Sequence, residues 1–168
     1  MSTPVETERK FLIRMPDADL LNSFDGLRIM DMEQTYLLCE IGNARVRKIN
    51  ENGNERYIKT LKRRISALSC YEEEREISYE EYVEALKASD PDKKTVYKTR
   101  YAFPYGSHTV EIDVYPFWSD RAILEVELSE ENEIFKIPDS IRIIKEVSED
   151  SRYKNTNIAN CIPMDDIR

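Results

Sequence analysis

The sequence predicts a mainly β fold with a few peripheral helices, in which the sheet closes on itself as a barrel. Three observations predict it. Strand after strand puts charged side chains on one face and apolar ones on the other, as the two-residue alternation of a β-strand requires. Only three helical segments can be read between the strands, too few to cover both faces of a large sheet. The charged faces carry both signs densely, whereas a solvated face usually mixes in Ser, Thr, Gln and Asn. Closure gathers such faces into a lumen, where charges require pairing, water, a metal or an anionic ligand.

The chain has 168 residues, 40% hydrophobic and 35% charged. That is enough for one domain with its own core, and too apolar for disorder. We expect the core over 5–159 and a loose C-terminal tail over 160–168. A net charge of −8 argues against non-specific binding to nucleic acid or to an anionic membrane. No apolar run approaches the ~20 residues of a membrane span. No signal-peptide pattern follows Met1. Cys39, Cys70 and Cys161 show neither pairing nor metal-ligand spacing. A cytoplasmic protein with reduced thiols is therefore expected. His108 is the only histidine, which argues against a catalytic triad or a His-based zinc site.

Val5 to Ile13 reads as the first strand, stopped by Pro16, with Glu6, Glu8 and Lys10 on one face. A short helix or turn runs from Pro16-Asp17 to about Gly26. Gln34–Leu38 is a strand. After the Gly42-Asn43 turn, Ala44–Ile49 carries Arg45 and Arg47 on one face. A hairpin loop at 50–54 leads to Arg56–Lys62, where Thr60 and Lys62 share a face. Tyr71–Ile77 aligns Glu72, Glu74 and Glu76. Ser78-Tyr79-Glu80-Glu81 is a capping box that opens a helix over 79–88, with its tyrosines toward the core. Thr95–Phe103 carries Lys98 and Arg100, and 104–107 is a turn. Thr109–Tyr115 pairs Glu111 with Asp113 on one face, and Ile123–Leu128 pairs Glu125 with Glu127. Trp118 reads as a packing residue. A short helix is expected at Ser129, a last strand over 141–147, and a turn or short helix over 150–159.

Clustered carboxylates without histidine suit hard cations such as Mg²⁺ or Mn²⁺. Clustered Arg and Lys suit phosphate oxygens, Arg through its planar fork. Both in one cavity point to metal-assisted phosphoryl or nucleotidyl chemistry on a polyanion.

The motifs also resemble a known family. Glu6-Thr7-Glu8-Arg9-Lys10 resembles the ExExK signature of the CYTH, or triphosphate tunnel metalloenzyme, superfamily. The match continues in order. It takes in Gln34-Thr35-Tyr36-Leu37, Arg45-Val46-Arg47, Thr60-Leu61-Lys62, the glutamate strand 72–77 and Lys98-Thr99-Arg100. It ends with Glu111-Ile112-Asp113, Glu125-Val126-Glu127 and a closing segment around Lys145 and Lys154. The resemblance implies an eight-stranded antiparallel barrel whose polar tunnel binds a triphosphate with Mg²⁺ or Mn²⁺. It implies that Lys10, Arg45, Arg47, Lys62, Lys98 and Arg100 bind the substrate. It implies Glu6, Glu8 and Glu127 as first metal ligands, with Glu125, Glu111, Asp113, Glu72 and Glu74 as further candidates. Glu6, Glu8, Lys10, Asp113, Glu125 and Glu127 form the catalytic set. Cys70 stands where many relatives carry a basic residue.

The resemblance favours a hydrolase of inorganic triphosphate or a similar small triphosphate, by water attack on the terminal phosphoryl group. The Glu-Arg-Lys-Phe-Leu form of the first motif is closer to that branch than to the cyclases. The alternatives are a class IV adenylyl cyclase, for which no adenine pocket is legible, a thiamine triphosphatase, and a polyphosphate- or nucleotide-binding module without turnover. An RNA 5′-triphosphatase is disfavoured by the acidic charge. A homodimer is compatible with this reading.

Overall fold

The computed structural model describes residues 5–168; residues 1–4 of the expected domain span lie outside the described residues. The strands are β1 (Val5–Arg14), β2 (Arg28–Leu37), β3 (Asn43–Glu51), β4 (Asn54–Arg64), β5 (Ser69–Ile77), β6 (Val96–Tyr105), β7 (His108–Val114), β8 (Arg121–Leu128) and β9 (Ile143–Glu146). The α-helices are α1 (Ala18–Leu21), α2 (Tyr79–Leu86) and α3 (Asn155–Ile158). All strand pairings are antiparallel. β1 to β8 close a ring in the order β1-β5-β4-β3-β2-β6-β7-β8. The expected eight-stranded barrel therefore forms, with β9 as an added strand. β1 serves two partners along one edge, β5 at Val5–Thr7 and β9 at Phe11–Ile13.

Strand ends differ from expectation where turns are tighter than the sequence suggests. Pro104 and Tyr105 continue β6, with Pro104 opposite Thr109, so the hairpin turn shrinks to Gly106-Ser107. β3 and β4 meet at Asn52-Gly53, both with positive φ, a two-residue turn whose twist matches the flanking strands. No helix forms at Ser129; residues 129–142 run irregularly over the barrel. Half of the capping box forms: Ser78 Oγ accepts from the Glu81 N–H at 3.1 Å, while the Glu81 carboxylate accepts from Arg75 at 3.1 Å.

Alternation sorts the apolar residues into distinct cores. On the outer face of β1, β6, β7 and β8, Phe11, Ile13, Phe103, Ile112, Leu124 and Val126 pack under Leu21 of α1 and Ile141. Outside β2 and β3, Leu37 and Val46 meet Tyr82 of α2. A third core sits inside the bore at one end. Leu12, Tyr36, Val96 and Ile123 share the inner face with the charged residues and pack with Trp118, Val147, Tyr153 and Ile158. Tyr153 is fully buried, and truncating a buried aromatic of this size to Ala costs about 3–5 kcal/mol.

The tail over 160–168 has no regular structure, yet it is tied down rather than loose. Trp118 Nε1 donates to the Pro163 carbonyl at 3.1 Å, and Arg14 Nη2 donates to that of Ile167 at 2.9 Å. The Asp165 carboxylate accepts from Lys145, Arg152 and the Tyr153 hydroxyl. Its partners lie 12 to 20 residues upstream, so no local pattern announces them. Among the described residues no helix is long and apolar enough to cross a membrane.

Gly42 sets the position of a charged wall. Its φ is +73°, and a Cβ there would stand 2.1 Å from the Lys62 carbonyl oxygen. Gly42→Ala must push β4 outward at Lys62, and we expect it to cost more than about 1 kcal/mol. Urea unfolding checks this; an unchanged midpoint would contradict the close approach.

Candidate active site in the barrel lumen

Residues directly opposite in adjacent strands point to the same face, so the strand register decides what enters the bore. Glu8 faces Glu127, and Lys10 faces Glu125 across β1–β8. Glu111 faces Glu125 across β7–β8, and Arg100 faces Asp113 across β6–β7. Arg45 lies beside Thr60, Thr60 beside Glu74, and Lys62 beside Glu72. The bore so formed holds a cavity of about 290 Å³. Glu6, Glu8, Lys10, Arg45, Arg47, Lys62, Glu72, Glu74, Arg100, Glu111, Glu125 and Glu127 line it.

Lys98 and Asp113 do not line the cavity. Their side chains are 1% and 0% exposed and pair at 2.7 Å within the wall. Asp113 also accepts from Arg100 Nε at 2.7 Å and Nη2 at 2.9 Å. With two cations on it, Asp113 aims Arg100, and its burial leaves it nothing to offer a ligand. Arg9 and Lys59 have the opposite parity; Arg9 binds Glu146 on the outside at 2.6 Å.

Sequence reasoning left other lining residues out. Arg64, Ala67, Ser148, Asn155 and Thr156 contribute, as do Met30, Met32 and Ile49. Of the two lysines of the closing segment, Lys154 lines the cavity, whereas Lys145 binds Asp165 at 2.7 Å. Cys70 is buried at the seam between β1 and β5, and its Sγ lies 3.6 Å from Glu6 Oε2. Ligand atoms of Glu6, Cys70 and Glu72 fall within 4.8 Å of one another.

The cavity's charges interlock. Lys62 Nζ lies 2.6 Å from Glu6 and 3.2 Å from Glu72. Arg47 lies 3.1 Å from Glu74, Arg100 2.7 Å from Glu111, and Lys10 3.3 Å from Glu125. Burial would raise the Glu6 and Glu125 carboxyls. Lys62 at the first, and Lys10 with Arg100 at the second, instead hold them well below the carboxylate range. Burial pushes Glu8 up to about 8, with the Glu125 and Glu6 charges adding to it. Burial and the hydrogen bond it shares with Glu6 push Glu72 up to about 8. Burial pushes Glu111 up to about 7 despite Arg100.

No family model matches the chain. An inorganic triphosphatase from Acetivibrio thermocellus is 35% identical over 117 residues, 69% of this chain and 70% of that protein. The chain belongs to the CYTH, or triphosphate tunnel metalloenzyme, superfamily. Among solved structures, the inorganic triphosphatase NE1496 superposes with a TM-score of 0.56 at 29% identity, covering 98% of this chain and 99% of that one. The PH1819 protein of Pyrococcus horikoshii OT3 shares the fold, with a TM-score of 0.58 at 21% identity over 76% of this chain and 80% of that one.

In this tunnel metalloenzyme the acidic wall fits a divalent cation. Glu8 and Glu127 stand directly opposite each other, and neither makes an ion pair among the described residues. Once both are deprotonated, carboxylates so placed repel unless a cation lies between them. The donors beside them are carboxylate oxygens, which suit a hard ion.

The raised carboxyls predict how stability depends on pH. Glu8, Glu72 and Glu111 ionise near 8, 8 and 7 when folded, against 4.5 ordinarily. Over that window the folded chain binds more protons than the unfolded one, so stability falls as pH rises. The lowered Glu6 and Glu125 act only below it. We expect the metal-free protein to melt lower at pH 8 than at pH 5, and added Mg²⁺ to restore more at pH 8. A metal-free melting temperature that climbs over this range would contradict the assignment.

Proposed function

We propose that this chain is a divalent-metal-dependent triphosphatase whose preferred substrate is inorganic triphosphate. The observation that carries this reading is in the basic wall. Among the described residues the buried Nε–H groups of Arg45 and Arg47 have no hydrogen-bond partner, although both side chains line a cavity that also holds Lys10, Lys62 and Arg100. Buried donors left unpaired are costly, and phosphoryl oxygens satisfy several at once. The triphosphatase name of the Acetivibrio relative supports the same activity.

Arg45, Arg47, Lys62, Lys10 and Arg100 bind the chain of phosphoryl groups and stabilise charge on the equatorial oxygens as the terminal bond breaks. Asp113 orients Arg100, and Lys98 neutralises Asp113. Glu6, Glu8 and Glu127 would hold the metal, with Glu125, Glu111, Glu72 and Glu74 around them. We take it to be Mg²⁺ or Mn²⁺, which supplies Lewis-acid neutralisation of the phosphoryl oxygens when bound. A water oxygen bonds to the terminal phosphorus in line as the P–O bond to the leaving group breaks, giving orthophosphate and pyrophosphate. The cysteines are free, which supports a reducing, cytoplasmic setting.

Glu8→Gln and Glu127→Gln should each cut metal-dependent turnover by about a hundredfold or more, with the circular dichroism spectrum retained. Near-normal rates would mean the metal site is misassigned. Arg47→Ala should raise KM and lower kcat together; unchanged steady-state constants would place Arg47 outside the reaction. The direct test is product analysis with Mg²⁺ or Mn²⁺ on triphosphate, ATP and thiamine triphosphate separately. We expect orthophosphate, released fastest from triphosphate. Cyclic AMP with pyrophosphate from ATP would replace this reading with a cyclase.

A further inference from the structure

Lys10 is aimed into the lumen from the far end of the chain. Its Nζ donates to the Tyr153 carbonyl at 3.2 Å and lies 3.3 Å from Glu125. A lysine ammonium carries three donors on a flexible stem. Two bonds to the wall fix its direction and leave one N–H for a phosphoryl oxygen. The aim of Lys10 therefore depends on where the Tyr153 carbonyl stands.

Local structure alone does not place that carbonyl. Tyr153 ends a 3₁₀ turn over Ser151–Tyr153, and α3 after it has four residues. Helical pieces this short are marginal by themselves, so tertiary contacts must hold them. The Tyr153 ring is fully buried and packs with Leu12 and Trp118. Apolar packing is non-directional; the hydroxyl supplies the direction, donating to Asp165 Oδ2 at 2.8 Å. The same carboxylate accepts from Lys145 of β9 at 2.7 Å and from Arg152 at 2.8 Å. Arg121 of β8 donates to the Asp165 carbonyl at 2.5 Å. Asp165 is thus tied to two strands, and it holds Tyr153 to them.

We propose that Tyr153 and Asp165 are positioning residues for the reaction: the tail carboxylate anchors the Tyr153 hydroxyl, and the Tyr153 carbonyl aims Lys10 at the substrate. This rests on the triphosphatase reading and gives the C-terminal segment a part in it. Tyr153 and Asp165 are not among the described residues that line the cavity, so both act through Lys10 and not on the substrate itself.

A double-mutant cycle tests this. Tyr153→Phe and Asp165→Ala are each made alone and together with Lys10→Met. Triphosphate affinity is measured by calorimetry without metal, and kcat/KM with Mg²⁺. We expect each single variant to weaken binding by about fivefold, the worth of one hydrogen bond, and to lower kcat/KM as well. In the Lys10→Met background the same changes should alter affinity by less than about twofold. Equal losses in both backgrounds would make the tail a structural strap only and overturn the proposal. Wild-type affinity in both single variants would overturn it too. Tyr153→Phe keeps the buried ring, so it decides if Asp165→Ala fails to fold. A wild type that binds triphosphate but releases no phosphate from it would sink the triphosphatase reading alone, because the affinity cycle still judges the anchor. No triphosphate binding by the wild type would overturn both.

Discussion

Closure of the ring at β1–β5 is the constraint on which the rest depends. It is made by three residue pairs, Val5–Tyr71, Glu6–Cys70 and Thr7–Ser69. Thr7 and Ser69 join their hydroxyls at 2.8 Å, and the Glu8 N–H reaches the Leu68 carbonyl at 3.1 Å. With that seam shut, the inner face is a lumen; with it open, the same face would be an ordinary charged sheet surface. The seam also sets Lys62 of β4 against Glu6 of β1. A structural contact thereby becomes the junction of the basic and acidic walls.

Inside a closed bore the charges act at lower dielectric than they would in water, so each pair or clash weighs more. The arrangement divides by strand. β3 supplies Arg45 and Arg47, β4 supplies Lys62 and β6 supplies Arg100, while β1 and β8 place Glu8 against Glu127. β7 supports from behind, its buried Asp113 fixing Arg100. One side is a set of donors in want of an anion, the other a set of carboxylates in want of a cation. A metal–triphosphate complex would answer both, while the pairs Lys62–Glu6, Arg47–Glu74, Arg100–Glu111 and Lys10–Glu125 make so charge-dense an interior compatible with a stable fold. The apolar plug of Leu12, Tyr36 and Val96 under Tyr153 bounds the polar length of this bore at one end.

Much of this was legible in the sequence because the side-chain period of a strand is two. Glu6-x-Glu8-x-Lys10 and Arg45-x-Arg47 declare a shared face whatever the register. The barrel followed from the density of both charge signs on such faces. Parity could not say how far along the bore each residue sits. Lys98 has the right parity, yet the pairing of β6 with β7 buries it against Asp113. Leu12 and Tyr36 lie on the charged face and still belong to an apolar core, because the segment around Tyr153 covers that end. The docking of 160–168 is not legible because it depends on Trp118, Arg121 and Arg152, which no local pattern links to it. The apolar inner residues Met30, Met32 and Ile49 carry no signal in the sequence, and only the register turns them into the bore.

The central claim is that metal and triphosphate meet between the Glu8–Glu127 pair and the arginines of β3. Anomalous diffraction from crystals soaked with Mn²⁺ and a non-hydrolysable triphosphate analogue tests it most directly. The account predicts a manganese peak between the Glu8 and Glu127 carboxylates, with phosphoryl oxygens on the Arg45 and Arg47 guanidinium groups. Manganese seated instead among Glu6, Cys70 and Glu72, with the analogue away from both arginines, would contradict it.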